Sequence, residues 1–395
     1  MKNRLLGSTL IVAGTTIGAG MLALPLITTS VGLGMSVMLM LLVWAVSAAG
    51  GLLMAEAANA CPEDTSLHGM AGTLLGRKGQ FVSAGSSMFL YYALCAAYIS
   101  GCSSQLQLAA RVLFDVQLHS TVAALIVTAI TAFIVSAGTR RVDGINRILF
   151  PLMLVALAVV LAVLSPSVEP AHLEFEPADL TAGVILATLP VLYTSFGFHV
   201  VVPSIGRYMD SCHTSVRRAV IMGSLLPVVL YLFWQLIVNG VLGSEGMTAV
   251  SAGDPVAGMV GGLAAHTGIG WISTAVAGFA ALALVTSFLG VALGLYDYLL
   301  EACEGRQIKG RAPAISVTFL PPLAIAILAP GSFVAALGYA ALALVFLAAF
   351  LPAAMVWKVR TEKRFSPSLI IVVVGGILIA GSQIGIATGM LGGIS

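Results

Sequence analysis

Two stretches of this sequence put polar backbone and side-chain groups where their surroundings are apolar. The first is Gly14-Thr15-Thr16-Ile17-Gly18-Ala19-Gly20-Met21-Leu22-Ala23-Leu24-Pro25, inside an apolar run from Leu5 to about Thr29. The second is Leu189-Pro190-Val191-Leu192-Tyr193-Thr194-Ser195-Phe196-Gly197-Phe198-His199, followed by Pro203-Ser204. A spanning helix interrupted at such places frees amides and carbonyls at membrane depth, where lipid offers them no partner. Such backbone is tolerated only when it is buried in protein or lines a polar cavity. The chemistry on offer is recognition rather than bond-making, because amides at a helix start face anions and carbonyls at a helix end face cations. A face of small residues for close helix packing is the alternative for the first stretch. The second stretch weighs against it, since paired interruptions point to a binding site near the membrane midplane.

Glu56, His199 and Asp297 are the intramembrane candidates for a titrating group. Each is a functional hypothesis in a membrane. Glu56 and Asp297 fall near cytoplasmic ends, where an ion pair with an arginine accounts for them equally well, and His199 serves equally as a hydrogen-bonded spacer. Enzymatic chemistry has no support. The histidines His68, His119, His172, His199, His213 and His266 are dispersed, with no H-E-x-x-H pair, no nucleophile beside a base and no phosphate-binding P-loop. Cys95 and Cys102 share a helix face and read as packed side chains, with no C-x-x-C spacing anywhere.

The elements that must carry these residues are membrane helices. Of 395 residues 59% are hydrophobic and 9% charged, and the mean hydropathy is +1.05, so the chain is a polytopic membrane protein. A net charge of +2 gives nucleic acid no footing. Eleven apolar runs are long enough to span: 5–29, 33–58, 81–111, 119–138, 147–165, 181–204, 219–242, 270–299, 312–329, 332–357 and 367–391. The first is a retained helix rather than a cleaved signal. The segment 243–269 is expected to hold a short helix over the outer mouth.

Eleven spans place Lys2 and Arg4, Arg77 and Lys78, Arg140, Arg141 and Arg147, Arg207, Arg217 and Arg218, Arg306, Lys309 and Arg311, and Lys358, Arg360, Lys363 and Arg364 on one side. Only Arg111 of the eighteen basic residues lands opposite. By the positive-inside rule the N-terminus is inside and the C-terminus outside. The acids Glu169, Glu174, Glu176, Asp179, Glu245 and Asp254 fall in outer loops. Residues 1–165 then form a first set of five spans, residues 181–357 a second, and 367–391 an additional helix. Five is odd, so the second set runs inverted, and each set begins with an interrupted helix. That is the pattern of a secondary transporter. A channel would want a re-entrant filter, and a receptor a soluble output domain.

The chain also resembles a known family. The blocks Met1-Lys2-Asn3-Arg4, Gly14 to Pro25, Ala97-Tyr98-Ile99-Ser100-Gly101, Ser195-Phe196-Gly197-Phe198-His199, Pro203-Ser204-Ile205, Thr286-Ser287-Phe288-Leu289-Gly290-Val291-Ala292-Leu293-Gly294-Leu295-Tyr296-Asp297-Tyr298 and Thr318-Phe319-Leu320-Pro321-Pro322 are similar to the bacterial aromatic and hydroxy amino acid permeases, most of all their tyrosine-specific branch. The resemblance implies an all-α leucine-transporter-type fold of five plus five inverted helices and an eleventh, in the bacterial inner membrane. It implies ion-driven symport of an aromatic amino acid by alternating access, with tyrosine first and tryptophan or serine/threonine as alternatives. No cofactor, nucleic acid or obligate protein partner is implied; the partners are the substrate and the lipid bilayer.

On that reading the substrate set is Gly14, Thr15, Thr16, Ile17, Gly18, Ala19, Gly20, Tyr92, Ser195, Phe196, Gly197, Phe198 and His199. The carboxylate of a zwitterion meets amides from Ile17 to Gly20, and its ammonium meets carbonyls near Gly14, Ser195 and Phe196. The aromatic ring needs an apolar lining, for which Phe196, Phe198, Tyr92, Tyr98 and Ser100 are available. A substrate hydroxyl could be read by His199, Thr16, Tyr92 or Gln105. For the ion, Thr286 and Ser287 with the carbonyls of Gly14, Ile17 and Ala283 resemble the oxygen cage that holds sodium in the wider fold. Proton-coupled relatives carry a lysine in their fifth helix, where this chain has Met153. A proton would then travel on Glu56, His199 or Asp297. The expected coupling ion is a proton, with sodium as the alternative.

Overall fold

The computed structural model describes residues 2–62, 65–174, 180–209, 213–251, 254–267, 271–305, 311–360 and 366–391. Glu176, Asp179, Arg306, Lys309, Lys363 and Arg364, used above for orientation, lie outside the described residues. Among those described, every regular element is a helix. In chain order they are α1 (Lys2–Thr16), α2 (Gly20–Thr28), α3 (Gly32–Ala58), α4 (Leu67–Phe114), α5 (Ser120–Ser136), α6 (Thr139–Leu164), α7 (Pro170–Leu173) and α8 (Ala182–Thr194). There follow α9 (Val202–Tyr208), α10 (His213–Ser251), α11 (Pro255–Thr267), α12 (Ile272–Gly305), α13 (Arg311–Leu328), α14 (Phe333–Val345), α15 (Leu351–Val359) and α16 (Pro367–Ala387).

Nine helical stretches among the described residues are long and apolar enough to cross a membrane, against the eleven spans expected. The difference has two local causes. The first expected span is divided into α1 and α2, of 15 and 9 residues, and α2 continues into α3 through a 3-10 turn at Thr29–Val31. The fourth is α5, at 17 residues a little short of a full crossing. Elsewhere local signals set the ends. Thr181 accepts a hydrogen bond from the amide of Val184 at the start of α8, and Ser366, followed by Pro367, does so for Leu369 at the start of α16. The segment 243–269 carries more helix than expected. Helix α10 turns at Gly243, whose φ of +63° suits glycine, continues to Ser251, and is followed by α11. Asp254 caps α11 by accepting from the amide of Ala257 at 2.9 Å, and its other oxygen accepts from Ser104.

The chain divides into two compact units, each drawing on both halves of the sequence. One comprises Met1–Leu90, Pro177–Phe233 and Gly338–Ser395; the other comprises Tyr91–Glu176 and Trp234–Leu337. In the first unit α3 is the central element. It packs on α15, α16 and α8, while α2 packs on α8. Small residues permit that closeness: a Cβ on Gly375 would stand 2.4 Å from Val46 Cγ2, and one on Gly50 would stand 2.2 Å from the carbonyl oxygen of Ala348. Ala348 belongs to a π-helical turn, Phe346–Phe350, between α14 and α15. In the second unit α12 lies along α6 and also meets α5, α11 and α13, with α13 against α5.

Candidate binding site at the helix interruptions

In the first unit α1 ends at Thr16, with the amide of Ile17 bonded to the carbonyl of Ala13 at 2.8 Å. Ile17, Gly18 and Ala19 leave the helix, and all three are buried. Helix α2 then restarts at Gly20, with Met21 and Leu22 donating to the carbonyls of Gly18 and Ala19 at 3.2 and 3.1 Å. Proline 25 lies inside α2, not at the interruption. The hydroxyls of Thr15 and Thr16 donate back into their own helix, to the carbonyls of Ile11 and Val12, each at 2.8 Å. Thr16 therefore has its donor engaged.

Helix α8 ends at Thr194, and the residues Ser195 to Phe198 are non-helical before a 3-10 turn at His199–Val201 leads into α9. Ser195, Phe196, Phe198 and His199 are all buried. The two interruptions meet. The Ser195 hydroxyl lies 3.2 Å from the carbonyl oxygen of Gly20 and 3.0 Å from that of Val191, two acceptors for one proton. A Cβ on Gly20 would stand 3.0, 3.1 and 3.2 Å from Ser195 Oγ, Cα and Cβ, so glycine is what lets α2 start this close to the end of α8.

A third element completes the arrangement, and the sequence reading missed it. Tyr231 of α10 is wholly buried, and its hydroxyl stands 2.7 Å from the carbonyl oxygen of Thr16 and 3.0 Å from that of Ser195. Its ring meets Phe196 edge to face, with centroids 5.5 Å apart. The available signal was a tyrosine deep in an apolar run, because a buried phenol needs a hydrogen-bond partner. Phe198 stacks on His199 at 4.6 Å and 13°, and His199 Nε2 lies 2.9 Å from the carbonyl oxygen of Ser47 in α3. A carbonyl only accepts, so Nε2 carries the hydrogen. His199 Nδ1, the Tyr193 hydroxyl and the Ser47 hydroxyl are buried without a hydrogen-bond partner among the described residues.

The remaining predicted site residues are distributed as follows. Glu56 is paired: its two carboxylate oxygens accept from Nε and Nη2 of Arg360, both at 2.7 Å, and Arg360 Nη1 donates to Ser366 at 2.9 Å. The bonds to the Glu56 carboxylate hold the guanidinium even more firmly protonated than an ordinary arginine. Of the two readings of Glu56, the geometry is that of an ion pair. In the second unit the Thr286 hydroxyl donates within α12, 2.8 Å from the carbonyl oxygen of Leu282 and 3.2 Å from that of Ala283, and lies 3.9 Å from the sulfur of Met153 on α6. Met153 is wholly buried. Ser287 is hydrogen-bonded to Tyr98, and Asp297 accepts from Thr139 at 3.4 Å. Tyr92 donates to the carbonyl of Val317 at 2.8 Å, which engages its hydroxyl within the unit. Gln105 and Ser100 on α4 are buried and have no partner among the described residues. Gly14 to Gly20 and Ser195 to His199 thus come together in one unit, while Tyr92, Ala283, Thr286, Ser287 and Asp297 belong to the other.

Known proteins bear on this arrangement. The model of the tryptophan/tyrosine permease family matches residues 1–390. The chain is 37% identical to the tyrosine-specific transport system 1 of Haemophilus influenzae, over 98% of each chain. It is 34% identical to a tryptophan-specific transport protein of Pseudomonas aeruginosa, over 92% of this chain and 88% of that one. It is also 32% identical to glutamine transporter 2 of Aliivibrio fischeri, over 92% and 91%. Among solved structures it is similar to Mhp1, a nucleobase-cation-symport-1 family transporter in a closed conformation with bromovinylhydantoin bound, with a TM-score of 0.63 over 97% of this chain and 91% of that one. At 13% identity that likeness is one of fold alone.

Proposed function

Because the chain belongs to the tryptophan/tyrosine permease family, we propose that it imports an aromatic amino acid, tyrosine first, by ion-coupled symport across the bacterial inner membrane. Its homologues are transport proteins and not enzymes. The observation that carries the reading is the pair of interruptions after Thr16 and after Thr194, tied to each other through Ser195, Gly20 and Tyr231. The amides of Gly18 to Gly20 open α2 and suit a carboxylate, and carbonyls at the ends of α1 and α8 suit an ammonium. The buried rings of Phe196 and Phe198 supply apolar surface for a side chain. The proposed frame is the leucine-transporter-type inverted repeat, 1–165 and 181–357 with 367–391 added, the N-terminus cytoplasmic and the C-terminus periplasmic. The nature of the fold match and the basic-residue asymmetry support it.

For coupling, the proposal is a proton carried on His199 or Asp297 in place of the paired Glu56. A sodium reading has one observation in its favour. Met153 is buried against Thr286 and puts a thioether there, at the position where the resemblance implies a lysine in proton-coupled relatives. Uptake of labelled tyrosine into proteoliposomes under an imposed pH gradient or an imposed sodium gradient, with tryptophan, phenylalanine and serine as competitors, tests both points. Accumulation under the pH gradient alone supports proton symport; accumulation only with sodium overturns it. Serine competing better than tyrosine or tryptophan would overturn the aromatic assignment.

A further inference from the structure

We infer that Tyr231 is a positioning residue for transport, its hydroxyl strapping the carbonyl end of α1 to the carbonyl end of α8. The inference rests on the transporter reading above and concerns how its site is held. Thr16 is the last residue of α1, and Ser195 is the first beyond α8. The final carbonyls of a helix have no intrahelical partner and carry the negative end of its dipole. Two such ends brought together repel, and in a membrane interior no bulk water relieves them. The Tyr231 hydroxyl sits 2.7 Å from one carbonyl oxygen and 3.0 Å from the other, so one donor serves both.

The strap is mounted on a firm support. Tyr231 lies in α10 between Pro227 and the turn at Gly243, and is wholly buried. The edge-to-face contact with the Phe196 ring fixes its orientation. The same helix touches α1 a second time: a Cβ on Gly223 would stand 2.5 Å from Val12 Cβ and 2.7 Å from the carbonyl oxygen of Thr9. Helix α10 therefore grips α1 along its length through Gly223 and at its end through Tyr231. Each carbonyl oxygen has two lone pairs, so the single proton of the phenol cannot fill them. Those lone pairs are what a substrate ammonium requires. The hydroxyl thus sets the spacing of the acceptors and leaves them capacity for a second donor.

The test uses the full-length chain in proteoliposomes, comparing wild type with Tyr231→Phe, Tyr231→Leu and 3-fluorotyrosine introduced at position 231. Tyr231→Phe keeps the ring against Phe196 and removes only the donor. It should melt close to wild type in detergent and raise KM for labelled tyrosine about tenfold while changing the maximal rate less than about twofold. Tyr231→Leu should lose both folding stability and uptake. The fluorinated ring keeps the hydroxyl and strengthens it as a donor, so it should fold normally and shift KM measurably. That variant decides the matter if Tyr231→Phe fails to insert. Wild-type KM in the phenylalanine variant, or in the fluorinated chain should the former misfold, overturns the inference and reduces Tyr231 to ring packing. A wild-type chain that takes up no aromatic amino acid in the same vesicles overturns the aromatic-import reading on which the inference rests, and the two failures are told apart by that control.

Discussion

A single methyl group added at Gly20 should weaken substrate binding while leaving the protein folded. The backbone there is not in the left-handed region, so alanine brings no conformational strain of its own. What it brings is crowding. The new Cβ would lie 3.0–3.2 Å from three atoms of Ser195, where unstrained carbon contacts are about 3.5–4.0 Å, so the start of α2 and the turn after α8 must part by a few tenths of an ångström. The Ser195 hydroxyl is already 3.2 Å from the Gly20 carbonyl oxygen, at the long end for such a bond, and would be lost to it at about 1 kcal/mol. Overpacking adds about 1–3 kcal/mol. Alanine returns up to about 1 kcal/mol through its helix preference. The net cost of about 1–3 kcal/mol is tolerable for folding, but the displacement falls on the proposed carboxylate and ammonium positions. Gly20→Ala should therefore raise KM about tenfold with a melting temperature lowered by a few degrees. Ser195→Gly in the same chain removes two of the three crowded atoms and should restore part of the lost affinity, a coupling visible in a double-mutant cycle. Gly34→Ala, with nothing within 4 Å of the added Cβ, is the control. Wild-type KM in Gly20→Ala would refute the idea that this close approach belongs to the binding site.

Three other outcomes are expected. Gly50→Ala should abolish stable insertion or cost more than about 3 kcal/mol, because its Cβ would fall 2.2 Å from the Ala348 carbonyl oxygen, which is backbone and cannot swing aside; a melting temperature like that of wild type contradicts this. Glu56→Gln should lower the melting temperature by a few degrees through loss of the paired Arg360 bonds, worth about 1 kcal/mol, and leave pH-driven uptake intact; loss of the pH dependence would instead make Glu56 the proton carrier. Thr286→Ala should change uptake driven by a pH gradient less than about twofold, since its hydroxyl bonds back into its own helix. A tenfold rise in the sodium concentration needed for half-maximal uptake would favour the sodium reading.

What the sequence made legible was whatever follows from local composition. Apolar runs announce membrane helices, and the recurrence of glycine and threonine in 14–20 and of serine, glycine and histidine in 195–199 marks where polar groups sit in them. Lengths were less secure. Nothing local says that α5 covers 17 residues, or that helical chain resumes after Gly243 and again from Pro255, because a Gly/Ser/Ala-rich stretch reads alike as loop or as packed helix. Pro25 and Pro190 illustrate the limit. Both lie inside helices, and the chain opens some residues away, at Ile17 to Ala19 and at Ser195 to Phe198, where neighbouring elements supply partners for the freed groups.

The site was legible on its two main stretches and illegible in what holds them, and the reason is sequence separation. The Ser195 hydroxyl meets Gly20 across 175 positions, and Tyr231 meets Thr16 across 215. No periodicity carries that information. It can be approached only through the rule that a buried donor must find an acceptor. Applied to Tyr231, the rule is answered by two backbone carbonyls at helix ends; applied to Glu56, by Arg360 across 304 positions. Applied to His199 it is half answered, because Ser47 takes Nε2 while Nδ1 remains buried and unpaired among the described residues. An acceptor left open in that position, stacked on Phe198 beside the second interruption, is a lead to recognition of a donor on the substrate; the hydroxyls of Thr16 and Tyr92, whose protons go to backbone carbonyls, can likewise only accept.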